Sequence, residues 1–566
     1  MSPSPAEPII YTSDYPEPFL PSMSLFHYLF PDGPAVSPLP SFDPSLPCAI
    51  DAATGRSVSR GELEDTALRL GQGLRDAGMK RGDVVNLFSP NSIEFAFATW
   101  GAIAAGCAVT PANIAYEPHE LAHQVNDSGA SFFFVAPSHL HVFEKARERF
   151  NITVPDSRVV LCCPVGPGAR AGAPDKYRSL HELLGERAPA ERFETEPMAT
   201  VFMFYSSGTT GLPKGVETTH YNMTTQMQTT GARIEQLTPQ DRILGFLPMS
   251  HIYGAMMFLL CPLRFGCAVV LLPRFEEIPV YKAIQEFKIT TAIIVPPVLV
   301  LWASSPHFKK YDLSSLRSVT CGAAPLPVDL ARRFHKILPV PICEAYGMTE
   351  TSPGIAVMNS KMATPERLGW VGRLIPSYQA RLVREDGTDA PLGTPGELWV
   401  RGPNVMKGYK GRTGDILPGG WFRTGDLMIR DKHGWFRVVD RVKELIKYKG
   451  LQVAPAELEN VLLQHHHVVD AGVIGVEDHK QATELPRAYV VLDAKKAAEL
   501  KTERDRRRYA REIGEWAAKR VAQHKRFRGG VVITDLIPKS PSGKILRRLL
   551  RERAHAEWTS EQKGKL

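Results

Sequence analysis

Short apolar runs alternate with amphipathic stretches along most of this chain, and the alternation predicts its elements. Asp83–Phe88, Ala130–Val135, Val159–Cys163 and Ala199–Phe204 read as buried strands. Between them, Leu63–Ala77 carries Leu68, Leu70, Leu74 and Ala77 at helical spacing, and Ser59-Arg60-Gly61-Glu62 suits its opening. Ser92–Ala104 reads as a second helix and His220–Gln228 as a third. Strands alternating with helices predict an α/β domain with a parallel sheet covered on both faces. Residues 1–45 are rich in proline and predict an extended arm, while Pro164–Lys176 and Gly185–Glu196 predict loops. Gly396–Arg401 alternates like a half-buried strand, and His433-Gly434 suits a hairpin turn.

Past Asp440–Gly450, the clearest candidate boundary, the pattern changes. A helix is predicted over Pro455–Gln464 and another over Arg504–Ala522. Strands are predicted at Val468–Val476, Ala488–Leu492 and Gly530–Thr534, with a helical face at Arg547–Arg553. This is the pattern of a small α+β domain.

Composition narrows the class. The chain has 566 residues, 43% hydrophobic and 23% charged, so it is a globular protein of several domains or subdomains. Its net charge of +8 suits an anionic small molecule as well as a nucleic acid. A basic cluster (Arg504, Arg506, Arg507, Arg508, Arg511) keeps the nucleic-acid reading open, but the chain lacks the aromatic–basic interleaving of a known binding module. The eight cysteines form no C-x-x-C pair and several sit in apolar runs, which predicts reduced structural thiols. His465-His466-His467 are adjacent and cannot all face one ion from a regular element. No basic segment precedes an apolar one near the start, so secretion is not expected. The most apolar stretches, Ala255–Pro273 and Ala292–Ala303, are interrupted by Pro262, Arg264, Pro296 and Pro297, so no membrane span is expected. A cytoplasmic location follows. Gly564-Lys565-Leu566 differs from a peroxisomal S-K-L ending at its first position and keeps that compartment as the alternative.

Four stretches carry candidate chemistry. Tyr205-Ser206-Ser207-Gly208-Thr209-Thr210-Gly211-Leu212-Pro213-Lys214-Gly215-Val216 follows a strand and gathers four hydroxyls, three glycines and a lysine. Such a loop suits the oxygens of a polyphosphate, with Lys214 as a movable charge, although G-x-x-x-x-G-K-[ST] cannot be laid over it. A Ser/Thr/Gly-rich surface turn is the plainer alternative. His251 ends a strand-to-loop segment in His-x-Tyr-Gly and reads either as a site residue or as a structural imidazole. Glu344-Ala345-Tyr346-Gly347-Met348-Thr349-Glu350 offers an aromatic face for a base, a hydroxyl for a phosphate and a carboxylate for Mg²⁺. Glu350 as an unpaired surface acid is the competing reading. Ile537–Arg547 holds Lys544, whose amine can bridge a carboxylate and a phosphate.

Together these stretches resemble, in order and over nearly the whole chain, the acyl- and aryl-CoA synthetase (adenylate-forming, ANL) superfamily, and most closely the 4-coumarate–CoA ligases. The resemblance implies a large N-terminal domain (1–440) of parallel-rich sheets flanked by helices, with a β-barrel-like subdomain. It also implies a small mobile α+β domain (441–566) swinging about a hinge at Lys443. ATP, Mg²⁺ and CoA are the implied cofactors and co-substrates, and a carboxylic acid the implied small-molecule partner, with no nucleic acid, no integral membrane association and no defined oligomeric state.

By the same resemblance, Lys214, His251, Thr349 and Lys544 are catalytic. Ser206, Ser207, Gly208, Thr209, Thr210 and Gly211 surround the phosphates, and Ala324, Glu344, Ala345, Tyr346 and Gly347 lie along the nucleoside. Asp426 and Arg441 hold the ribose, Lys447, Lys449, Gly450 and Gln452 line the nucleotide and CoA sites, and Glu350 binds the metal. His251, Tyr253, Gly254, Thr320, Gly322, Gly347, Pro353 and Ile355 form the acid pocket. Two departures bear on the acid. Ser250 stands where coumarate ligases usually carry Phe, and Thr320-Cys321 where they usually carry Lys-Ser. Both point to a less polar aryl or medium-chain acid, such as a cinnamate, benzoate or phenylacetate. The implied reaction is adenylation of that acid by MgATP followed by transfer to CoA. The alternatives are a free-standing adenylating enzyme that loads a carrier protein, which the absence of a carrier domain after Lys544 disfavours, and a basic nucleic-acid-binding protein.

Overall fold

The computed structural model describes residues 7–31, 37–164, 174–184, 192, 195–206, 212–231, 237–449, 451–478, 481, 483–540 and 543–563. Ser59 caps the helix Arg60–Asp76, and with Glu62 it forms a reciprocal capping box that satisfies two otherwise orphaned N–H groups. Ser92 caps Ile93–Ala104 without a reciprocal partner, its Oγ accepting from the Phe95 N–H. That second helix is buried on every side, as its all-round apolar sequence requires.

Two large sheets build the N-terminal part. In the first, the strands Pro47–Asp51, Ala268–Leu271, Arg242–Gly245, Thr291–Ile294, Ser318–Cys321 and Ile342–Gly347 run parallel in that spatial order. The sheet then turns antiparallel through Gly354–Val357, Gly372–Leu374, Trp435–Arg441, Trp421–Arg430, Gly396–Arg401 and Gln379–Val383. The expected barrel-like portion is this antiparallel run, continuous with the parallel one. The second sheet has eight strands, with Val84–Phe88, Ala108–Pro111, Ala130–Val135 and Val159–Leu161 parallel at its centre. Thr200–Ser206 and Lys214–Thr219 form its antiparallel hairpin. The sheets share one main core in which Trp100 and Trp302 are almost wholly buried.

The arm is not merely extended. Tyr11–Thr12 pairs with Gln379–Ala380, and Leu25–Leu29 forms a buried helix. The Leu25 N–H donates to Nδ1 of His220 (3.0 Å), and burial pushes that imidazole down to about 4. The Arg-rich helix runs Glu503–Ala518, because Thr502 caps it through the Asp505 N–H. The small domain packs this helix and Pro455–Leu462 on the sheet Val468–Asp478, Thr483–Leu492 and Val531–Ile533. All eight cysteines are buried thiols outside any disulfide. Among the described residues no helix is long and apolar enough to cross a membrane.

Candidate active site

The site lies where the parallel strands of the first sheet end, beneath a loop of the small domain. The hairpin comes first. Ser206 and Lys214 face each other across its two strands, so both sit at the root of the glycine-rich turn. Ser207, Gly208, Thr209, Thr210 and Gly211 lie outside the described residues.

Glu350 is no surface acid. Only 5% of it is exposed, and its Oε1 accepts from Ser206 Oγ (2.9 Å) and from the Tyr409 hydroxyl (2.8 Å). Lys214 Nζ stands 4.9 Å from the centre of the Tyr409 ring, within reach of a cation–π contact. Thr349, also buried, opens the same short 3₁₀ turn, Thr349–Thr351.

The Tyr346 hydroxyl donates to Asp426 Oδ2 (2.6 Å), and Arg441 Nε meets Asp426 Oδ1 (3.0 Å). Asp426 and Arg441 are direct partners on adjacent strands, so the sheet register fixes this contact. Burial works against the Arg441 charge, but Asp426, Glu444, Tyr346 and Glu350 outweigh it and hold the guanidinium above its ordinary range.

Lys544 enters this group from the small domain. Its loop is seated on the large domain: a Cβ at Gly543 would lie 3.1 Å from Pro297 Cδ and 3.4 Å from Val295 Cβ. Burial pushes the Lys544 ammonium below the usual lysine range, and Arg441 adds to that. Asp426, Glu350 and Glu444 pull the other way. The Tyr253 N–H donates to His251 Nδ1 (3.2 Å), so the neutral ring carries its proton on Nε2. Burial, with the Lys544 charge behind it, pushes this imidazole down to about 4 and keeps it neutral at neutral pH. Lys544, His251, Arg441, Asp426, Tyr346 and Glu350 thus form one electrostatic neighbourhood drawn from both domains.

Glycines allow close packing around the expected acid pocket. A Cβ at Gly347 would lie 2.1 Å from the Pro353 carbonyl oxygen, and one at Gly254 would lie 2.2 Å from that of Pro248. Gly322 faces the Tyr253 ring, where a Cβ would sit at 3.4 Å. Thr320 is buried on the adjoining strand end, and Ala324 is half-buried just beyond it. Ala345 and Gly347 pair with Val357 and Gly354 across a register irregularity.

Some expected residues stand elsewhere. Ile355 points into a separate core with Val216, Leu374 and Phe422, not into a pocket. The Glu344 carboxyl is buried and accepts from the Gly369 N–H (2.6 Å); burial pushes it up to about 8 despite that bond. Lys447, Lys449 and Gln452 lie exposed on the hairpin Ile446–Tyr448/Leu451–Val453, and Gly450 is outside the described residues. Gln452 Nε2 donates to Glu385 (3.1 Å). Among the described residues, no hydrogen bond or ion pair joins this hairpin to Lys544, His251 or Asp426. The His465 and His466 rings stack, His467 packs tilted against His466 and Tyr509, and His465 meets Trp516 edge-on; among the described residues no cluster suited to a metal ion is found.

Sequence reasoning missed Tyr409, which reaches Glu350, and Gln226, whose amide would meet a Cβ at Gly354 at 2.6 Å. It also missed a cleft of about 330 Å³, walled by Asn91, Phe246, Arg274 and Ser250 (the residue before His251) of the large domain and by Lys539 and Gly543 of the small one.

Comparison with known proteins identifies the family. Residues 42–410 match the family described as AMP-binding enzyme, and residues 457–544 match the AMP-binding enzyme C-terminal domain. A 4-coumarate–CoA ligase of Pinus taeda is 37% identical over 526 residues, covering 90% of this chain and 92% of that protein. Peroxisomal OPC-8:0-CoA ligase 1 of Arabidopsis thaliana is 36% identical, covering 88% and 89%. The crystal structure of ATP-bound MatB from Rhodopseudomonas palustris superimposes with a TM-score of 0.79 at 26% identity, covering 94% of this chain and 98% of that one. With both family matches in chain order and relatives alike over most of its length, this chain belongs to the AMP-binding enzyme family, the adenylate-forming ANL superfamily, as an AMP-forming acid–CoA ligase.

Proposed function

We propose that this site adenylates an aryl or medium-chain carboxylic acid and then passes the acyl group to CoA. The observation that carries the reading is the meeting of Lys544 with His251, Asp426, Arg441 and Glu350 across the domain boundary. In the first step a carboxylate oxygen attacks the α-phosphorus of ATP, the bond to the bridging oxygen breaks, and pyrophosphate leaves. Negative charge builds on the α-phosphate oxygens as this happens. A partly desolvated ammonium at Lys544 stabilises that charge more than a solvated one would, because water does not screen it. Neutral His251 donates Nε2–H to the carboxylate, while Thr349, Lys214 and the glycine-rich loop hold the phosphates.

Asp426 presents carboxylate oxygens to the ribose, and Arg441 and Tyr346 fix their orientation. The Glu350 donor set fits a hard cation. The hydrogen bonds from Ser206 and Tyr409 both fall on Oε1, which leaves Oε2 as the ligand oxygen. Mg²⁺ bound there would offset charge on the ATP phosphates.

The acid lies between Tyr253, Gly254, Gly322, Thr320, Gly347 and Pro353. With a threonine at 320 and a serine at 250, this wall lacks a long cation and a bulky ring, which favours an unhydroxylated acid over coumarate. In the second step the CoA thiol attacks the acyl carbonyl and AMP departs. The cleft at Ser250 suits the pantetheine arm, with Arg274 on its wall. Lys539, Ser540 and Gly543 occupy one side of that cleft, so they withdraw as residues 441–566 turn about Lys443, a gating motion. The same turn carries Lys447, Lys449, Gly450 and Gln452 inward. We take the cytoplasm as the working location; a fluorescent fusion that gathers in peroxisomes would replace it.

The experiment is a panel of benzoates, cinnamates, phenylacetates and medium-chain fatty acids, scored for thioester, AMP and pyrophosphate with ATP and CoA both present. Stoichiometric AMP and thioester from an unhydroxylated member supports the reading. Faster turnover of coumarate than of cinnamate removes the substrate assignment. Adenylation that proceeds without thioester from free CoA removes the acceptor.

A further inference from the structure

Tyr409 has no part in the chemistry described above, yet it touches two groups that do. Its hydroxyl donates to Glu350 Oε1 (2.8 Å), the oxygen that also accepts from Ser206. The face of its ring carries Lys214 Nζ at 4.9 Å. The backbone around it is laced to the same two neighbours. Tyr409 pairs with Val216 in the sheet, the Lys410 N–H donates to the Gly215 carbonyl (2.8 Å), and the Met406 N–H donates to the Glu350 carbonyl (2.8 Å). Residues 406–410 thus form a strap joining the lysine end of the glycine-rich hairpin to the turn that presents Glu350.

We propose that Tyr409 is a positioning residue that presets Glu350 and Lys214 as one unit, so that the metal-binding carboxylate and the phosphate-binding lysine meet the nucleotide already oriented. The inference rests on the reading of Glu350 as the metal carboxylate. With Oε1 taken by two donors, the carboxylate cannot rotate freely and Oε2 keeps one direction. The aromatic ring holds the Lys214 ammonium without neutralising it, as a carboxylate in that place would. A ring that serves both groups at once also sets the distance between them.

The test uses Mn²⁺ as a paramagnetic stand-in for Mg²⁺, titrated into the full chain with a non-hydrolysable ATP analogue and read by electron paramagnetic resonance. Tyr409→Phe keeps the ring and removes only the hydroxyl. A hydrogen bond to a charged group of this kind is worth about a tenfold loss of Mn²⁺ affinity. Tyr409→Leu also removes the ring, and should weaken metal-free binding of the analogue by a further factor of about three. Glu350→Gln and the double variant close a thermodynamic cycle. The proposal predicts that Tyr409→Phe adds nothing once Glu350 is Gln, a coupling that a merely structural tyrosine would not produce. Thermal unfolding confirms that each variant is folded. If Glu350→Gln weakens Mn²⁺ binding and Tyr409→Phe does not, or if Tyr409→Phe costs the same in both backgrounds, the role of Tyr409 is overturned and that of Glu350 stands. If Glu350→Gln leaves Mn²⁺ affinity unchanged, both fall.

Discussion

Arg547 offers the sharpest test of how the small domain is held together beside the proposed hinge. It follows Lys544 by three residues and turns inward. Its guanidinium meets Glu444 (2.6 Å) and Glu459 (2.7 and 2.9 Å) and donates to the Val473 carbonyl (3.1 Å). The three side chains are only 11%, 15% and 11% exposed. Burial works against the Arg547 charge, but Glu459, Glu444 and Asp440 outweigh it and hold the group above its usual range. One cation therefore serves three acids, and one of them, Glu444, stands in the short turn Val442–Glu444 beside Lys443, the proposed hinge. Arg547→Met keeps much of the volume and strands the acids. Removing one partner of a buried pair costs about 3–5 kcal/mol. Part of that cost is escapable, because Glu459 is already pushed above its ordinary value of 4.5 by burial and Asp440 up to about 6. Without Arg547 both rise further, so the folded variant holds protons that the unfolded chain has released. Its stability is then fully present below the unfolded carboxylate values and is lost as pH rises through the folded ones. Urea unfolding at pH 7.5 and 5.5 measures this: the full penalty is expected at pH 7.5 and a clearly smaller one at pH 5.5. Adding Glu459→Gln to the variant should recover part of the loss at pH 7.5. An equal penalty at both values, with no recovery in the double variant, would refute the electrostatic account.

Three further outcomes are expected. Lys544→Ala should slow ATP–pyrophosphate exchange by about 10²–10³-fold, while supplied acyl-adenylate still yields thioester with CoA at near the wild-type rate; equal loss in both assays removes the assigned role. Glu344 holds a proton up to about pH 8 in the fold against 4.5 in its absence, so its contribution to stability is lost as pH rises between those values. Glu344→Gln still offers an acceptor to Gly369 and should be more stable to urea unfolding than wild type at pH 8.5, by roughly 2–4 kcal/mol, with no gain at pH 5. Gly347→Ala forces a methyl against the Pro353 carbonyl and should cost about 1–3 kcal/mol and raise the KM for the acid; an unchanged melting temperature and KM would show that the strand bulge yields freely.

Much of the fold was legible in local pattern. The Ser59–Glu62 capping box, the parallel strands around Val84–Phe88 and the hairpin turn at His433-Gly434 depend on residues close in sequence, where periodicity and turn chemistry decide the outcome. The motifs also located Tyr346, Asp426, Arg441 and Lys544, which the structure brings together. Motif reading failed where side-chain direction mattered. Ile355 sits beside pocket candidates in sequence, but successive strand residues face opposite sides, so Gly354 meets Gln226 and Ile355 enters the core. Tyr409 and Arg547 escaped because their partners are 59, 88 and 103 residues away, and no local spacing marks such contacts. The surface-acid reading of Glu350 was removed by its burial and its two hydrogen bonds, which the chain alone does not display.

The buried thiols make the proposed hinge open to direct test. All eight cysteines lie inside the protein, and burial pushes Cys48, Cys107 and Cys261 up to about 12, so few of them are thiolate at neutral pH. A maleimide dye would therefore find little to react with in the wild-type chain. One cysteine placed on the exposed face of Glu503–Ala518 and another on the large domain could carry a donor and an acceptor fluorophore without first stripping the native sulfur. The swing of the small domain could then be timed, turnover by turnover, in otherwise unaltered protein.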